Sequence, residues 1–417
     1  MRTARVKVLV VALLGLAALC AVQVGPQHVN TVDRALAVTP PMGWSSYNSY
    51  GRHATAADLE QQATALVTSG MKAAGYTYVN LDGGWDLPTR DAFGRLQPDP
   101  RKFPDGIAPV ARYVHSLGLK FGIYTGLGTA NCAHTGAGSW GHYRQDVRTF
   151  ASWGVDFVKV DWCAVPRRRF PGMTDAQIAA RLYSQFGSAL RAAGRPMAYS
   201  LSTNHPSLAP WSWAPRVGNM WRTSGDMHDT FAFMRSHFLA NVGRYASAGP
   251  GTWNDPDMLE VGNGGMTRAE DRANVSLWAE MAAPLIAGND LTTMSAATRK
   301  ILANRQVIAV DQDPLGRQGR VVARRAGHWV LSKPLANGAC AVVLFNATDR
   351  RALIATSTTR VGLQPGGTYL VSNLWTHRAT QTSGRFGARV APHAAVMFRV
   401  GGRTPDHFIG LGAAAGS

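Results

Sequence analysis

Two aspartates in this sequence have the neighbours expected of a catalytic carboxylate pair. Asp161 ends the apolar run 155–161, and Asp226 lies four residues beyond Arg222, near the end of a later apolar run. Two carboxylates on opposite sides of an acetal can hydrolyse it, one as the nucleophile and the other as general acid and then general base. Lys159 lies two residues before Asp161, so in a strand both side chains point to the same side and the lysine favours an ionised Asp161. The pair predicts a retaining glycosidase with Asp161 as its nucleophile.

Other polar and aromatic residues also follow apolar runs along the first three quarters of the chain. In a parallel α/β barrel the functional side chains lie at the carboxyl ends of the strands, so these residues are expected to converge on one face. Carboxylates and basic groups hydrogen-bond sugar hydroxyls, and aromatic rings cover the apolar face of a pyranose, so the mixture indicates a carbohydrate site. The converging residues are Asp82, Trp85, Asp86, Tyr124, Lys159, Asp161, Trp162, Ser202, Trp221, Arg222, Asp226, Asn254, Asp255 and Asp257.

Each of these residues, taken singly, also has a purely structural explanation. An aspartate at a strand end is commonly a turn or a helix cap, and Asp226 has the position of a cap for a helix beginning near Met227. The stretch 254–256 has the composition of a turn, and tryptophans such as Trp44 also suit core packing. The functional interpretation is favoured because the residues occur together at successive strand ends.

Short apolar runs alternate with helical patterns from residue 39 to residue 312, which is typical of a parallel α/β architecture. The predicted strands are 42–46, 76–82, 119–124, 155–161, 197–202, 219–223, 251–254 and 285–288. The predicted helices include 55–72, 143–153, 174–193, 227–239, 268–281 and 296–303. Eight strands with intervening helices over about 275 residues predict a (β/α)8 TIM barrel. A doubly wound sheet would carry a glycine-rich phosphate loop after its first strand, and the stretch 43–46 is not one.

The pattern changes after residue 313 to short alternating runs without helical periodicity, which predict a small antiparallel β-sandwich domain. These runs are 328–332, 340–345, 368–372 and 394–399. The predicted organisation is a signal peptide at 1–37, a catalytic barrel at 38–313, an antiparallel β domain at 314–400 and a flexible tail at 401–417. The tail is predicted from its richness in glycine and alanine.

The amino-terminal segment has the features of a secretory signal peptide. Basic residues precede the apolar run 8–22, and a small-x-small cleavage signal ends at Ala37. No other stretch approaches about 18 apolar residues, so we expect a secreted protein without a membrane anchor. Export permits a disulfide, and Cys132 and Cys163 are the candidates because each follows a predicted strand; Cys340 is expected to be a small buried apolar residue.

The overall charge of +18 at pH 7 does not by itself indicate a nucleic-acid partner. The basic residues are mostly scattered arginines without interleaved aromatic residues, and the one tight cluster is 167–169. Dispersed histidines without an HExxH or paired-cysteine motif argue against a zinc site. The absence of a G-x-S-x-G elbow argues against an esterase.

Several segments together carry a family resemblance. In chain order they are TPPMGW at 39–44, GRLQPDP at 94–100, RKFP at 101–104, GLKFGIY at 118–124, WGVD at 153–156, KVD at 159–161, WR at 221–222 and WNDPDML at 253–259. In this order the sequence resembles glycoside hydrolase family 27, the melibiase type of α-galactosidase. The resemblance runs from residue 39 to about residue 320, and the predicted β domain fits the family as well.

The resemblance implies roles for individual residues. Asp161 would be the nucleophile and Asp226 the acid/base, Cys132 and Cys163 would form a disulfide, and neither a cofactor nor a metal ion is implied. The predicted substrate-binding residues are Trp44, Asp82, Trp85, Tyr124, Lys159, Ser202, Arg222 and Asp257.

Two positions depart from the pattern of the family's α-galactosidases. Those enzymes have two adjacent aspartates that bind the C4 and C6 hydroxyls of galactose, whereas here Asp82 is followed by Gly83. In those α-galactosidases an acidic residue that binds the C2 hydroxyl occupies the position of Ser202. Members of the family that act on N-acetylgalactosamine have serine at this position. A site built around a hydroxyl can discriminate by about 10⁴-fold, so the loss of one carboxylate can redirect specificity. Asp86 is a candidate to supply the missing oxygen.

We therefore expect a secreted retaining exo-α-glycosidase acting on an oligosaccharide or polysaccharide, with terminal α-D-galactosides favoured. Alternatives within the family are α-glucan, as in isomaltose-releasing dextranases, α-N-acetylgalactosaminide and β-L-arabinopyranoside. A non-catalytic carbohydrate-binding protein is a further alternative, against which the presence of both Asp161 and Asp226 argues.

Overall fold

A ring of eight parallel strands forms the centre of the larger domain in the computed structural model, which describes residues 32–402. The strands are β1 (Met42–Ser45), β2 (Tyr78–Leu81), β3 (Lys120–Gly126), β4 (Phe157–Asp161), β5 (Ala198–Ser202), β6 (Met220–Arg222), β7 (Trp253–Asp255) and β8 (Leu285–Ala287). Each lies within two residues of a predicted strand, because runs buried on both faces are nearly continuous in apolar residues. The prediction of a TIM barrel is confirmed.

The ring is closed by a residue that follows β7 rather than by β7 itself. The strand order is β7-β6-β5-β4-β3-β2-β1-β8, and β7 and β8 are not neighbours in it. Leu259 bridges to Ala287, its N–H donating to the carbonyl of Ile286 at 2.8 Å and its carbonyl accepting from Gly288 at 3.1 Å. The four residues from Asp255 to Met258 therefore bend over the mouth of the barrel before the chain rejoins the ring.

Helices surround the ring, and threonine capping boxes begin three of the longer ones. The helices are α1 (Tyr47–Tyr50), α2 (Ala56–Thr68), α3 (Met71–Ala74), α4 (Ile107–Ser116), α5 (Tyr143–Trp153), α6 (Asp175–Arg191), α7 (Phe231–Asn241), α8 (Arg268–Glu280), α9 (Ala296–Leu302) and α10 (Arg305–Asp311). The boxes at Thr55, Thr174 and Thr267 pair each threonine with an acid or amide three residues on, which satisfies two unpaired backbone N–H groups at each start.

Two differences from the predicted helices bear on the site. The helix predicted at 227–239 begins instead at Phe231, because the hydroxyl of Thr230 accepts from the N–H of Phe233 and caps it. The explanation of Asp226 as a helix cap is therefore wrong. In addition, α1, α4 and α10 lie outside the predicted helices, although the apolar residues of α4 recur with the spacing of one buried helical face.

The second domain is the predicted β sandwich. Its strands are β9 (Arg320–Arg325), β10 (His328–Pro334), β11 (Cys340–Asn346), β12 (Ala352–Ser357), β13 (Tyr369–Asn373), β14 (Ala379–Thr382), β15 (Arg385–Val390) and β16 (Ala395–Gly401). A six-stranded antiparallel sheet, ordered β14-β13-β16-β11-β10-β9, faces a two-stranded sheet of β12 and β15. Along β11, Val342 and Leu344 enter the core between the sheets, while Val343 and Phe345 join the core shared with the barrel.

A buried lysine connects the β domain to the barrel. Lys333 on β10 is fully buried, and its Nζ donates to the carbonyl oxygens of Ala279 at 3.1 Å and Val310 at 2.6 Å. These carbonyls lie in the last turns of α8 and α10, where the helix dipoles are negative, so one ammonium satisfies two helix ends. Glu280 and Asp311, which end the same helices, are also fully buried, and burial raises the pKa of each to about 8.

The predicted signal peptide and tail lie mainly outside residues 32–402. Of the former, residues 32–37 are described, and Arg34–Ala37 among them form a 3-10 helix; the carbonyl of Ala37 accepts from Trp253 Nε1 at 2.8 Å. Ala37 packs there against the first residues of several barrel strands, and cleavage after it stays a prediction. Within the described residues, every helix is too short or too polar to cross a membrane.

Candidate active site

A cavity of about 610 Å³ opens at the carboxyl ends of the barrel strands. It brings together five of the residues predicted from the sequence, which are Asp82, Lys159, Arg222, Asp226 and Asp257. Its size falls within the range of about 300–1,000 Å³ that is usual for small-molecule sites. The convergence follows from the parallel strands, because their carboxyl ends meet at one face of the barrel.

An ion pair between neighbouring carboxyl ends lies deep in the cavity. Lys159 Nζ on β4 contacts Asp82 Oδ2, just after β2, at 2.8 Å, and the Asp82 carboxylate is 6% exposed. Burial acts to lower the pKa of Lys159, but Asp82 and Asp161 outweigh burial and raise it above its ordinary value. Lys159 is therefore a permanent cation that orders Asp82 directly and acts on Asp161 through space.

Asp161 ends β4 and is buried beside the disulfide. Its Oδ2 lies 3.1 Å from Cys132 Sγ, and its Oδ1 has no hydrogen-bond partner within the described protein. Burial raises the pKa of the Asp161 carboxyl, Lys159 opposes that rise, and Asp82 adds to it. Asp161 is not among the residues that line the 610 Å³ cavity, so attack by this unpartnered oxygen on an electrophilic carbon stays a prediction.

Arg222 holds two carboxylates at once. Its Nη1 contacts Asp257 Oδ1 at 2.8 Å and its Nη2 contacts Asp226 Oδ1 at 3.1 Å, with the guanidinium almost fully buried. Asp257 has a φ of +85°, and its N–H donates to Asp255 Oδ1 at 2.8 Å. A left-handed aspartate persists only where its surroundings determine it, so Asp255 and Arg222 together fix Asp257.

The two proposed catalytic carboxylates differ in exposure and in their pKa shifts. Asp161 is 6% exposed, whereas the side chain of Asp226 is 64% exposed at the mouth of the cavity. Partial burial acts to raise the pKa of Asp226, but Arg222 and Lys159 outweigh it and lower that pKa. A sugar that covers Asp226 removes water from it, which favours the protonated form that a general acid needs.

The remaining predicted residues surround the cavity without lining it. Tyr124 is 3% exposed, its hydroxyl accepts from the N–H of Cys132 at 3.3 Å, and its ring lies 5.5 Å from Lys159 Nζ. Trp44 and Trp85 are buried, and their indole N–H groups donate to the carbonyls of Asn289 and Tyr124. These tryptophans support the wall from behind, and their direct contact with a sugar stays a prediction.

Ser202 and Asp86 bear on the two departures from the family pattern. Ser202 is buried beside Asp161 in the sheet, and its hydroxyl donates to Asn204 Oδ1 at 2.9 Å. Asp86 points away from the cavity, into the loop after β3, where it is within reach of Asn131 and Ala137. Burial raises the pKa of Asp86 to about 7. Asp86 is not among the residues that line the cavity, so its supply of an oxygen to the sugar stays a prediction.

Gly83 lies close against the Tyr124 ring. A Cβ atom added at Gly83 would lie 3.2 Å from Tyr124 Cε1, so any side chain there would press on the ring. Gly84 has a φ of +99° and approaches the backbone of Arg52 so closely that a Cβ would clash at 2.6 Å. The turn after β2 is therefore shaped by its glycines.

Below the ion pairs the barrel interior is nearly closed. The inner cavity is only about 40 Å³, too small for a sugar ring, and Phe157, Met220 and Ile286 are among its walls. The candidate site is thus a blind pocket that is open only at the mouth. A pocket of this form accepts the end of a chain rather than its middle.

Several residues at the mouth were not predicted from the sequence. They are Tyr47, Asn48, His228, Asp229, Glu260, Asn263 and Asp290. Glu260 is buried, accepts hydrogen bonds from the side-chain amides of Asn48 and Asn263, and has its pKa raised to about 7 by burial. The predicted residues lie at or just after strand ends, whereas most of these lie farther along the segments that line a barrel mouth.

The predicted disulfide is present. Cys132 and Cys163, in the loops after β3 and β4, are bonded with their Cα atoms 5.0 Å apart, and Cys340 is free and buried. Asp161 and these two sulfurs lie close enough together to suggest a metal site, but a disulfide offers no thiolate ligand. The bond instead fixes the two loops against the Asp161 carboxylate.

Removing this disulfide should weaken both the fold and the site. We expect Cys132→Ser with Cys163→Ser to lose about 3–4 kcal/mol of unfolding free energy, because the bond closes a loop of 31 residues. Activity should fall as well, since Cys132 also positions Tyr124. Thermal unfolding and steady-state kinetics would measure the two effects, with Cys340→Ala as the matched control. An unchanged melting temperature in the double variant would contradict this prediction.

Comparison with known proteins gives the family. The family model described as alpha galactosidase A matches residues 39–313, and the model for the alpha galactosidase C-terminal beta sandwich domain matches residues 325–400. The chain is 41% identical over 382 residues to the alpha-galactosidase of Cyamopsis tetragonoloba, with 89% of each chain covered. Alpha-galactosidase I from Mortierella vinacea superposes with a TM-score of 0.84 at 32% identity, covering 88% of this chain and 98% of that one.

A second solved structure widens the range of sugars within the same fold. A β-L-arabinopyranosidase of this family from Geobacillus stearothermophilus superposes with a TM-score of 0.79 at 25% identity, covering 91% of this chain and 99% of that one. The matched models, the identity to curated relatives and the site geometry agree. The chain is a glycoside hydrolase that belongs to family 27, the melibiase-type α-galactosidase family.

Proposed function

We propose that this protein is a secreted α-galactosidase that removes terminal α-D-galactosyl units with retention of configuration. The observation that carries the proposal is the unequal placement of the two aspartates at the same end of the barrel, with Asp161 buried at the end of β4 and Asp226 exposed at the mouth of the cavity. A nucleophile must reach the anomeric carbon of the enclosed sugar. A general acid must instead face the glycosidic oxygen, on the side from which the leaving group departs.

The proposed reaction takes place in two displacements. Asp161 attacks the anomeric carbon while Asp226 protonates the glycosidic oxygen, which breaks the glycosidic bond and forms a galactosyl ester of Asp161. Asp226, now a carboxylate, takes a proton from water as the water attacks the same carbon and releases Asp161. Loss of the Asp161 charge in the ester lowers the pKa of Asp226, which suits its second role as a base.

The remaining cavity residues are proposed to hold the sugar. The Asp82 carboxylate, ordered by Lys159, can accept hydrogen bonds from two neighbouring hydroxyls, and Asp257 and Arg222 can bind others. Secretion is proposed from the predicted signal peptide, and the Cys132–Cys163 disulfide supports it, because such bonds persist in oxidising compartments.

A second candidate activity follows from Gly83. Because no carboxylate follows Asp82, the site lacks one group that could bind a C6 hydroxyl. It should therefore discriminate less against a β-L-arabinopyranoside, which lacks the C6 group of the α-galactoside. The similarity to a β-L-arabinopyranosidase supports this candidate.

A panel of 4-nitrophenyl glycosides would test both activities. We expect hydrolysis of the α-D-galactoside, measurable hydrolysis of the β-L-arabinopyranoside, and far slower hydrolysis of the α-D-glucoside and α-D-N-acetylgalactosaminide. NMR of the first-formed galactose should show the α anomer. Preference for the α-glucoside would overturn the proposed sugar, and a β-anomeric first product would overturn the role of Asp161 as nucleophile.

A further inference from the structure

A second cavity, of about 880 Å³, lies between helix α5 and the loop that follows β2. One of its walls comes from the stretch 87–100 and the other from the stretch 144–153. We call it the outer groove, because α5 is one of the helices that surround the barrel ring. It shares no lining residue with the candidate active site, and the proposed reaction uses none of its side chains.

The two walls of the outer groove are tied together by a buried ion pair. The Arg90 guanidinium donates to both carboxylate oxygens of Asp146, at 2.7 and 2.8 Å, and the Asp146 side chain is fully buried. Gln145 Nε2 donates to the carbonyl of Phe93 at 2.7 Å, which adds a second link between the walls. The groove is therefore formed in advance, and a ligand does not have to order its walls on binding.

Helix α5 presents two arginines to the groove. Arg144 and Arg148 are both exposed and lie one helical turn apart, a spacing that places Cβ atoms about 5–6 Å from each other. Neither guanidinium has an ion-pair or hydrogen-bond partner among residues 32–402. On the opposite wall Arg95 is bonded to Asp91 at 2.7 Å, so the lining holds three arginines and one aspartate. The groove therefore carries a positive charge that the described part of the protein does not neutralise.

The uncharged part of the lining suits sugar rings. Trp153 lines the groove with a half-buried indole, which is held edge-on against Trp85 with ring centroids 5.7 Å apart. Gln97 and Ser152 add an amide and a hydroxyl group, which can hydrogen-bond sugar hydroxyls. One half-buried ring does not provide the row of exposed aromatic faces on which successive bases of a nucleic acid stack.

We propose that the outer groove binds an acidic polysaccharide, with Arg144 and Arg148 pairing to uronate carboxylates of its chain. An arginine fork matches a carboxylate through two parallel hydrogen bonds, and such bonds between charged groups are stronger than neutral ones. The Trp153 ring covers the apolar face of one sugar. This binding goes beyond the proposed hydrolysis and does not depend on it, since the groove holds the polymer outside the catalytic cavity.

Isothermal titration calorimetry of the full chain with a hexamer of α-1,4-linked galacturonate would test the groove. The ionic strength should be about 0.1 M, at which exposed charges more than about 10 Å from the ligand are largely screened. Arg144→Gln with Arg148→Gln should weaken binding about tenfold, because two charge pairs are lost. The methyl-esterified hexamer, which has the same rings without the charges, should bind the wild type at least about tenfold more weakly than the acid.

The matched control is Arg385→Gln with Arg389→Gln, which removes the same charge from two exposed arginines four residues apart on β15. It should bind the hexamer within about twofold of the wild type. Both double variants should keep the melting temperature and the activity of the wild type, because exposed substitutions of this kind change stability little.

Equal affinities of the groove variant and the control variant would overturn the proposal. Equal binding of the acid and its methyl ester would overturn the role of the carboxylates. Tighter binding of a six-nucleotide RNA than of the hexamer, lost in the groove variant, would assign the groove to nucleic acid instead. Calorimetry measures binding without turnover, so a failure of the proposed function on the 4-nitrophenyl glycosides would leave this test intact.

Discussion

Replacing Asp161 with glycine is expected to lower kcat/KM for 4-nitrophenyl α-galactoside by at least about 10⁴-fold. The variant removes the atom that bonds to the anomeric carbon, and no other carboxylate with an unpartnered oxygen lies at the end of β4. Folding should be kept, because the lost carboxylate is buried with little hydrogen bonding of its own. Circular dichroism and the melting temperature would verify the fold, and steady-state kinetics the loss.

A small nucleophile should restore turnover in the Asp161→Gly variant, and the anomeric configuration of the product identifies the residue that was lost. Azide is small enough to occupy the space left by the Asp161 carboxylate, and attack from that side would yield β-galactosyl azide, the product of a single inversion. Azide acting on an Asp226→Gly variant would instead give α-galactosyl azide, because it attacks the β-configured ester of Asp161 from the opposite face and inverts the configuration a second time. That route also requires an activated leaving group, since the general acid is missing. Rescue of Asp161→Gly that gave no galactosyl azide would contradict the assignment.

Replacing Lys333 with methionine should cost about 3–5 kcal/mol of unfolding free energy. The change removes the donor to the carbonyls of Ala279 and Val310 and leaves two buried carboxyl groups without a cation. Urea unfolding at pH 7 would measure the effect. Lys300→Met, at an exposed position of α9, is the matched control and should lie within about 0.5 kcal/mol of the wild type. Equal stabilities of the two variants would contradict the role of Lys333.

The same cluster should make stability fall as pH rises. The folded-state pKa of Glu280 is about 8, well above the ordinary value of 4.5, so between these values the folded state binds more protons than the unfolded state. The contribution of Glu280 to the free energy of unfolding is therefore present at low pH and is lost as pH approaches 8. Glu280→Gln should flatten this dependence by up to about 1.4 kcal/mol per pH unit. An unchanged slope would show that Glu280 does not titrate in this range.

The sequence was sufficient to predict the elements that carry the site and the identity of its central residues. The runs that become β2, β4 and β6 are mainly apolar and end in, or are followed by, polar residues, so Asp82, Asp161 and Arg222 could be assigned to one face of the barrel. Threonine N-caps could have refined the helix starts, and Thr230 shows the consequence of overlooking one. A helix start placed at Met227 would have given Asp226 a structural role.

Contacts and distances between residues on different strands of the barrel could not be predicted. Periodicity indicates which way a side chain points but not how far it lies from a residue on another strand, so Lys159 was assigned to Asp161 although it bonds to Asp82 at 2.8 Å. The left-handed conformation of Asp257 depends on the bend between β7 and Leu259, which no local pattern reveals. Tyr47 begins the short helix α1 and His228 lies on a loop, and the pattern of a strand end indicates neither position.

The stretch from Asp255 to Leu259 has a consequence for how this protein can vary. Leu259 completes the ring, Asp257 holds Arg222, and only Met258 separates them. An insertion or deletion here would shift the barrel seam and the acid/base together, so neither could be adjusted alone. Helix α1, which carries Tyr47, and the loop that carries His228 have no part in closing the ring. Residues at these parts of the cavity mouth can therefore change while the seam stays constant.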